Sequence, residues 1–535
     1  MKKHLFIAAL AVSTLFISCK EEEKADNFKF ENAIRGMENP LGAISISVNQ
    51  LIEKSGIKQD EQFGSNVAMV LNVASMAGID LNSKVYIAAN GTNKENVQLY
   101  AMINIKSSKE IEKQLSSIAT KEGIQDFENG YKMAKVKDAS GIIIFNEKRI
   151  LAVFTPGYTK KSEMEGFAKS LLENGGETAE KNPIFKGFEG LNNDLSFVYN
   201  MESVMKLIPE SEKAKIIAQS PKVIDLYNDS KIAGSLNFLN GNCNIHADYA
   251  FPAMEKYDLI PEQKVSGDFA SLLTNNKLFG FAIGRYNLEG MKLYLNDFMP
   301  KEDGDVEYKQ KEVMERLTTL SSYLTGEIAM SMVEVPESGE DDMEEINIDI
   351  EDSFAALEGE ETEEVIKDLV IKSNSEFRGY VIALGVSNEA GINSVLDTVS
   401  DMTKLGNYYS IDNGKAFAAV KNGKMIFTGK EDIIKDFSVN GTLTLQADAA
   451  KYIESGFNGM YDLTQIKNEL KDKEGMENLD EVLNLMKNAS FHFDMKSMDV
   501  DLNFTDSSNN SLKQIVNLVI KYLISGKELS SLAGM

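Results

Sequence analysis

The chain has 535 residues, 43% of them hydrophobic and 26% charged, and carries a formal net charge of −26 from 82 acidic and 56 basic side chains. Such a composition describes globular protein, in about two to four domains that can each bury a core. An acidic excess without a dense Lys/Arg cluster has the wrong sign for a phosphate backbone, so nucleic acid is excluded as a partner.

At the start of the chain, Lys2 and Lys3 precede an apolar run over residues 5–17 that is too short to span a bilayer. A basic flank, a short apolar run and a small Ser18 make an export signal. The segment Leu15-Phe16-Ile17-Ser18-Cys19 resembles a bacterial lipobox, with Phe16 in the place usually held by Leu. That resemblance implies a signal peptide over 1–18, a lipid on Cys19 and a tether over 19–27. Lys20, Glu21, Glu22 and Glu23 resemble the lysine-plus-acidic export signal of Bacteroidetes lipoproteins, which implies display on the outer face of the outer membrane. Read as residues alone, the same run is a solvated, self-repelling tether. The chain has two cysteines. With Cys19 assigned to the anchor, Cys243 is left and no intramolecular disulfide is expected.

Beyond the tether, residues 43–49 alternate as a strand does and pass into a helical stretch that stops at Gly56. Further strands are expected at 85–88 and 99–105, followed by a helix with Ile111, Leu115 and Ile118 on one face. A three-stranded meander over 131–136, 141–145 and 150–154 comes next, then a helix over 163–172. A strand at 195–199 leads into a helix at 201–207. The hairpin 233–238/243–249, turning at Asn240-Gly241, closes this half.

The second half repeats that order. Strands are expected at 279–283, 326–335 and 380–386, with a helix after Leu288 and another carrying Ile392, Leu396 and Val399. A meander (407–411, 416–420, 425–427), a strand at 442–446 with a helix at 449–454, and a hairpin (490–495/499–504) follow. An apolar helix over 512–524 ends the chain. Seven matching elements predict an internal duplication into two α+β domains, 28–262 and 263–535. Each is expected to be a largely antiparallel sheet with helices packed on it. Residues 336–365 are rich in Asp and Glu and hold no Lys or Arg, which predicts a flexible acidic insertion.

Chemistry is sparsely signalled. The histidines are His4, His246 and His492. Cys243-x-x-His246 puts its two side chains on opposite faces of a strand, which is wrong for a shared metal. No G-x-S-x-G elbow, H-E-x-x-H helix or Walker loop occurs. No catalytic, cofactor-binding or metal residue is therefore assigned, and no cofactor is expected. A carboxylate pair for hydrolysis is compatible with so acidic a chain but cannot be located in it.

The lipobox, the strand–helix Ile-Ser-Val-Asn-Gln-Leu-Ile-Glu-Lys-Ser-Gly over 46–56 and the overall length resemble an uncharacterised Bacteroidetes lipoprotein family, domain of unknown function 4836. The resemblance implies an anchor and no activity. The leading expectation is a non-catalytic lipoprotein, membrane-bound through Cys19 and facing the cell exterior, that binds a protein or a glycan. The alternatives are an envelope hydrolase with an unlocated carboxylate pair and a periplasm-facing assembly factor.

Overall fold

The computed structural model describes residues 28–93, 96–136, 141–155, 161–176, 182–219, 222–266, 278–298, 318–319, 321–333, 380–399, 401–443, 455–470 and 482–525. The export signal, Cys19, the tether and the acidic stretch 336–365 all lie outside the described residues.

The chain begins with α1 (Phe30–Arg35), β1 (Pro40–Ile46), α2 (Val48–Ser55) and α3 (Gly64–Met76). It continues through β2 (Val85–Asn90), β3 (Gln98–Asn104), α4 (Ser108–Ile118), β4 (Ala119–Asp126), β5 (Lys132–Val136), β6 (Gly141–Phe145) and β7 (Arg149–Phe154). Then come α5 (Lys161–Gly176), β8 (Leu195–Asn200), α6 (Met201–Met205), α7 (Glu210–Gln219), β9 (Lys231–Leu239) and β10 (Asn242–Ala250). After α8 (Pro252–Glu255) follow β11 (Leu278–Arg285), α9 (Leu288–Phe298), β12 (Leu324–Val333), β13 (Tyr380–Val386) and α10 (Glu389–Leu396). A second meander runs through β14 (Met402–Leu405), β15 (Tyr408–Ile411), β16 (Ala416–Lys421) and β17 (Lys424–Thr428) to α11 (Glu431–Asn440). The chain ends with β18 (Phe457–Asp462), α12 (Leu463–Leu470), β19 (Met486–Phe493), β20 (Ser497–Phe504) and α13 (Ser511–Ser525).

This is an α+β protein with helices packed on antiparallel sheet, in two compact units. Unit one holds the described residues of Met1–Lys215, Ile224–Pro252 and Asp506–Met535, and unit two those of Ile216–Val223 and Ala253–Thr505. The contiguous domains 28–262 and 263–535 are thereby corrected. The last helix, α13, belongs to unit one, where it packs on α2, β9 and β10. At its start Ser511 Oγ donates to the Asn242 carbonyl at 2.8 Å, and Asn510 Nδ2 donates to the Phe238 carbonyl at 2.9 Å. Sequence order alone carries no sign of that return.

Unit one is a sheet in the order β10-β9-β8-β1-β2-β3-β7-β6-β5-β4, every pair antiparallel. Unit two runs β20-β19-β18-β11-β12-β13-β17-β16-β15-β14, again antiparallel throughout. Strand for strand, the two orders are the same.

Each sheet buries its inner meander strands on both faces, β6 and β7 in unit one and β16 and β17 in unit two, with helices above and below them. On one face of unit one, Ile142, Ile144, Leu151 and Val153 meet Met164, Ala168 and Leu171 of α5 and Phe30 and Ile34 of α1. On the other, Ile143, Phe145 and Ile150 meet Ile111 and Leu115 of α4. In unit two Phe417, Ala419 and Ile426 meet Ile433, Ile434 and Phe437 of α11, while Ala416, Ala418 and Met425 meet Ile392 and Leu396 of α10. Leu115 and Leu396 are both buried.

Several elements depart from the sequence reading. Val399 lies beyond α10, which ends at Leu396. Each meander has four strands, because β4 and β14 add an outer strand after the preceding helix. Those strands are polar and largely exposed, so no alternation marks them. The strand that answers β8 is β18, not 442–446, and residues 444–454 lie outside the described residues. Asn458 and Gly459, where no strand was expected, lie within β18, while Leu443 is a core residue just past α11. The helices α1, α3, α7, α8, α11 and α12 carried no expectation.

Candidate functional site

The residues weighed from sequence do not converge. Cys243 is buried on β10. His246, on the other face of that strand, lies opposite Ser235, with its Nε2 3.4 Å from Asp248 Oδ1. His492 Nδ1 lies 2.8 Å from Asn458 Oδ1 on the neighbouring strand. Among the described residues, no group of three or more His, Cys, Asp or Glu is placed to hold a metal ion.

Two carboxylates stand out by their partners, and both join elements. Asp194, its side chain fully buried, accepts from Lys54 Nζ of α2 at 2.5 Å and from the Phe238 N–H of β9 at 2.7 Å. It thereby ties α2 to the β8–β9 corner. Asp297, near the end of α9, accepts from Lys222 Nζ, from Lys256 Nζ at 2.8 Å and from Tyr257 OH at 2.7 Å. Those three donors hold its carboxyl well below the usual carboxylate range. The Tyr257 ring packs edge-on against Tyr294 and Phe298 of α9. Tyr257 is thus pinned to α9 by two ring contacts and one hydrogen bond.

The surface with the most distinctive geometry is the sheet face that α4 leaves uncovered in unit one. Cross-strand pairing puts Ala101, Ile87, Ile44 and Phe197 in one row and Leu99, Ala89, Gly42, Tyr199 and Ile232 in the next. Directly opposed side chains share a face, so both rows are apolar. Ile87 and Leu99 are each 37% exposed and Tyr199 is 39% exposed. An apolar sheet face left half open is unusual for a solvated protein surface.

Tyr199 lies over Gly42. A Cβ built on Gly42 would sit 2.7 Å from the Val198 carbonyl oxygen and 2.8 Å from Tyr199 Cδ1, so the flat ring occupies the place of a side chain. Unit two repeats the device. Tyr461 pairs with Gly280, where a Cβ would meet Tyr461 Cδ1 at 2.7 Å, and Tyr461 is 37% exposed. Both glycines sit where the register slips by one residue, between Pro40 and Gly42 and between Leu278 and Gly280. Such a bulge re-aims the strand and lets the ring cross it. Sequence reasoning missed both tyrosines, since nothing local couples a glycine on one strand to an aromatic on a strand that arrives far later in the chain.

No protein-family model matches the chain, and no curated protein matches it. Two solved structures are similar over 46% of this chain. These are crystal form III of TP0453, at 11% identity over 92% of that chain with a TM-score of 0.25, and crystal form IV, at 8% identity over 89% with a TM-score of 0.24. A likeness that weak assigns neither fold nor function.

Proposed function

We propose that this protein is a non-catalytic binding protein, held by a lipid on Cys19 at the outer face of a bacterial outer membrane. The reading is supported by the half-exposed apolar sheet face built around Tyr199, with the matching ring of Tyr461 in unit two. An aromatic face backed by a rigid sheet suits a protein or glycan partner, because it buries area without ordering flexible side chains. Among the described residues no helix is long and apolar enough to cross a membrane.

We also propose that the two units descend from one duplicated ancestor. The common strand order, the shared bulge with its Gly–Tyr pair, and the matching places of Ile111 and Leu115 in unit one and of Ile392 and Leu396 in unit two support it.

The test is affinity capture of the lipidated protein from its own membranes, carrying a photo-crosslinking amino acid at Leu99, in the same cross-strand row as Tyr199. A crosslinked partner that is lost with Tyr199→Asp is the expected result. Turnover of a cell-wall or glycan substrate by purified protein, unchanged in Tyr199→Asp, overturns the reading. Separately, Cys19→Ala abolishes fatty-acid labelling and releases the protein from membranes. Continued labelling of that variant removes the anchor.

A further inference from the structure

Residues 62–79 contain no charged side chain, in a chain where one residue in four is charged. Thirteen of them form α3, Gly64–Met76. Its inner side is set by Ala74, which with Ala77 and Ile79 joins the core beneath α4. Its outer side carries Met69 at 59% exposure, Val70 at 53% and Met76 at 38%, with Val73 between them. Spacings of three, four and seven put Met69, Val73 and Met76 on one stripe. The flanking exposed residues are Ser65, Asn66, Asn72 and Ser75, polar and uncharged.

We infer that α3 is a membrane-contact helix that lies on the surface of the bilayer to which the chain is anchored. The inference rests on the anchored reading for which surface it meets. The first reason is position. Phe28, the first described residue, accepts from Arg149 Nη1 through its carbonyl at 2.9 Å, and Arg149 pairs with Asn104 on β3. The Asn104 carbonyl accepts from the Asp80 N–H at 2.9 Å, two residues past the Gly78 that follows α3. The tether therefore leaves the fold at the strand end where α3 finishes. Nine residues of tether reach about 30 Å at most, and α3 is about 20 Å long. A lipid on Cys19 can thus sit beside the helix.

The second reason is charge. A protein at −26 is repelled by anionic headgroups, and an interfacial helix with a basic face would have to overcome that field. An uncharged helix of Met, Val, Ala, Ser and Asn binds through buried apolar area and senses lipid packing instead of charge. The stripe therefore suits a neutral, loosely packed surface.

The test uses the full chain carrying Cys19→Ala with a hexahistidine fused N-terminal to residue 19, bound to phosphatidylethanolamine/phosphatidylcholine vesicles that contain a nickel-chelating lipid. Tethering then does not depend on natural lipidation. A polarity-sensitive fluorophore is attached through Met69→Cys, with Val439→Cys, on an exposed apolar site of α11, as the control. The expected result is a blue shift at position 69 and quenching by headgroup-region spin-labelled lipid about threefold or more above the control. It should persist from roughly 0.1 to 1 M salt, where surface charge is screened. Equal quenching at the two positions overturns the inference. So does a blue shift without vesicles accompanied by disulfide-linked pairs of Met69→Cys chains, which makes the stripe a self-association face. If natural lipidation fails while the tethered chain is quenched as expected, the anchor reading falls and the helix contact stands.

Discussion

At corresponding places the two units fill their cores from opposite sides. Aligned on the Gly42 and Gly280 bulges, unit one sets small Ser45 opposite large Tyr86, whereas unit two sets large Ile283 opposite small Ala329. Ala43 and Ala88 in unit one answer Phe281 and Ser331 in unit two. The space above Ala43 and Ala88 is taken by Phe30 and Ile34 of α1, with Phe188 against Tyr86. Under the helix that follows the third strand the exchange recurs. Unit one has small Ala134 on β5 opposite large Ile143 on β6, and unit two has large Tyr409 on β15 opposite small Ala418 on β16. Volume per layer is kept while the strand that supplies it changes, which is what cores tolerate best. That explains how one strand order is held by sequences with little residue identity.

The exchange has a polar consequence. Tyr409 brings a hydroxyl into unit two that unit one does not have to satisfy. Its oxygen lies 2.9 Å from Asp397 Oδ1, 3.3 Å from Asn393 Oδ1 and 3.0 Å from Lys404 Nζ. The Asp397 carboxyl, bonded to Tyr409 and Lys404, is held below its ordinary range.

The largest effect that can break the comparison is truncation of the paired leucines. Leu115→Ala and Leu396→Ala are each expected to cost about 2–5 kcal/mol, as loss of a buried leucine does. Denaturant unfolding with hydrogen exchange on β6 and β16 assigns each loss to its unit. A cost below about 1 kcal/mol at either site would end the equivalence of α4 and α10.

Next is the volume exchange itself. Ala418→Ile puts the unit-one residue of Ile143 into unit two without making room, at about 1–3 kcal/mol. Combined with Tyr409→Ala it should cost less than the two single changes together, by a coupling of about 0.5–3 kcal/mol. Simple additivity would mean that the two positions do not share a layer.

The bulge glycines sharpen the match. Gly42→Ala and Gly280→Ala should each destabilise by about 1–3 kcal/mol, since the new methyl meets a backbone carbonyl as well as a ring. Tyr199→Ala relieves only the ring contact, so it should not rescue Gly42→Ala fully. Full rescue, read from thermal unfolding, would put the strain in the ring alone.

The smallest effect reads the Tyr86 position, the large partner in its pair, by pH. Burial, aided by the nearby Glu189 and Glu31 carboxylates, pushes the Tyr86 hydroxyl up to about 12. A raised phenol favours the folded state below the unfolded value near 10, and that contribution disappears as pH climbs through 12. Ala329, at the matching place in unit two, has nothing to titrate. Unit one of the wild type should therefore lose stability between pH 10 and 12, and Tyr86→Phe should flatten that slope. An unchanged slope in Tyr86→Phe would assign the alkaline loss to other tyrosines.

Periodicity was enough to place most of this architecture. Alternation marked β1, short polar connections marked the inner meander strands, the Ile111 and Leu115 spacing marked α4, and Asn240-Gly241 marked its hairpin, because each depends on neighbours in sequence. Where local signals misled, distant packing had decided. Polar β4 and β14 are strands because a sheet edge accepts them, and Gly459 lies within a strand where the Phe281 carbonyl and the Phe491 ring leave no room for a side chain. The run 62–79 showed its lack of charge in the sequence, but only the fold shows that Met69, Val70 and Met76 face outward while Ala74 faces the core. The return of α13 to unit one and the seating of Tyr199 on Gly42 join residues hundreds and scores of positions apart. Such contacts are selected by volume and hydrogen bonding in three dimensions, and one-dimensional spacing does not encode them.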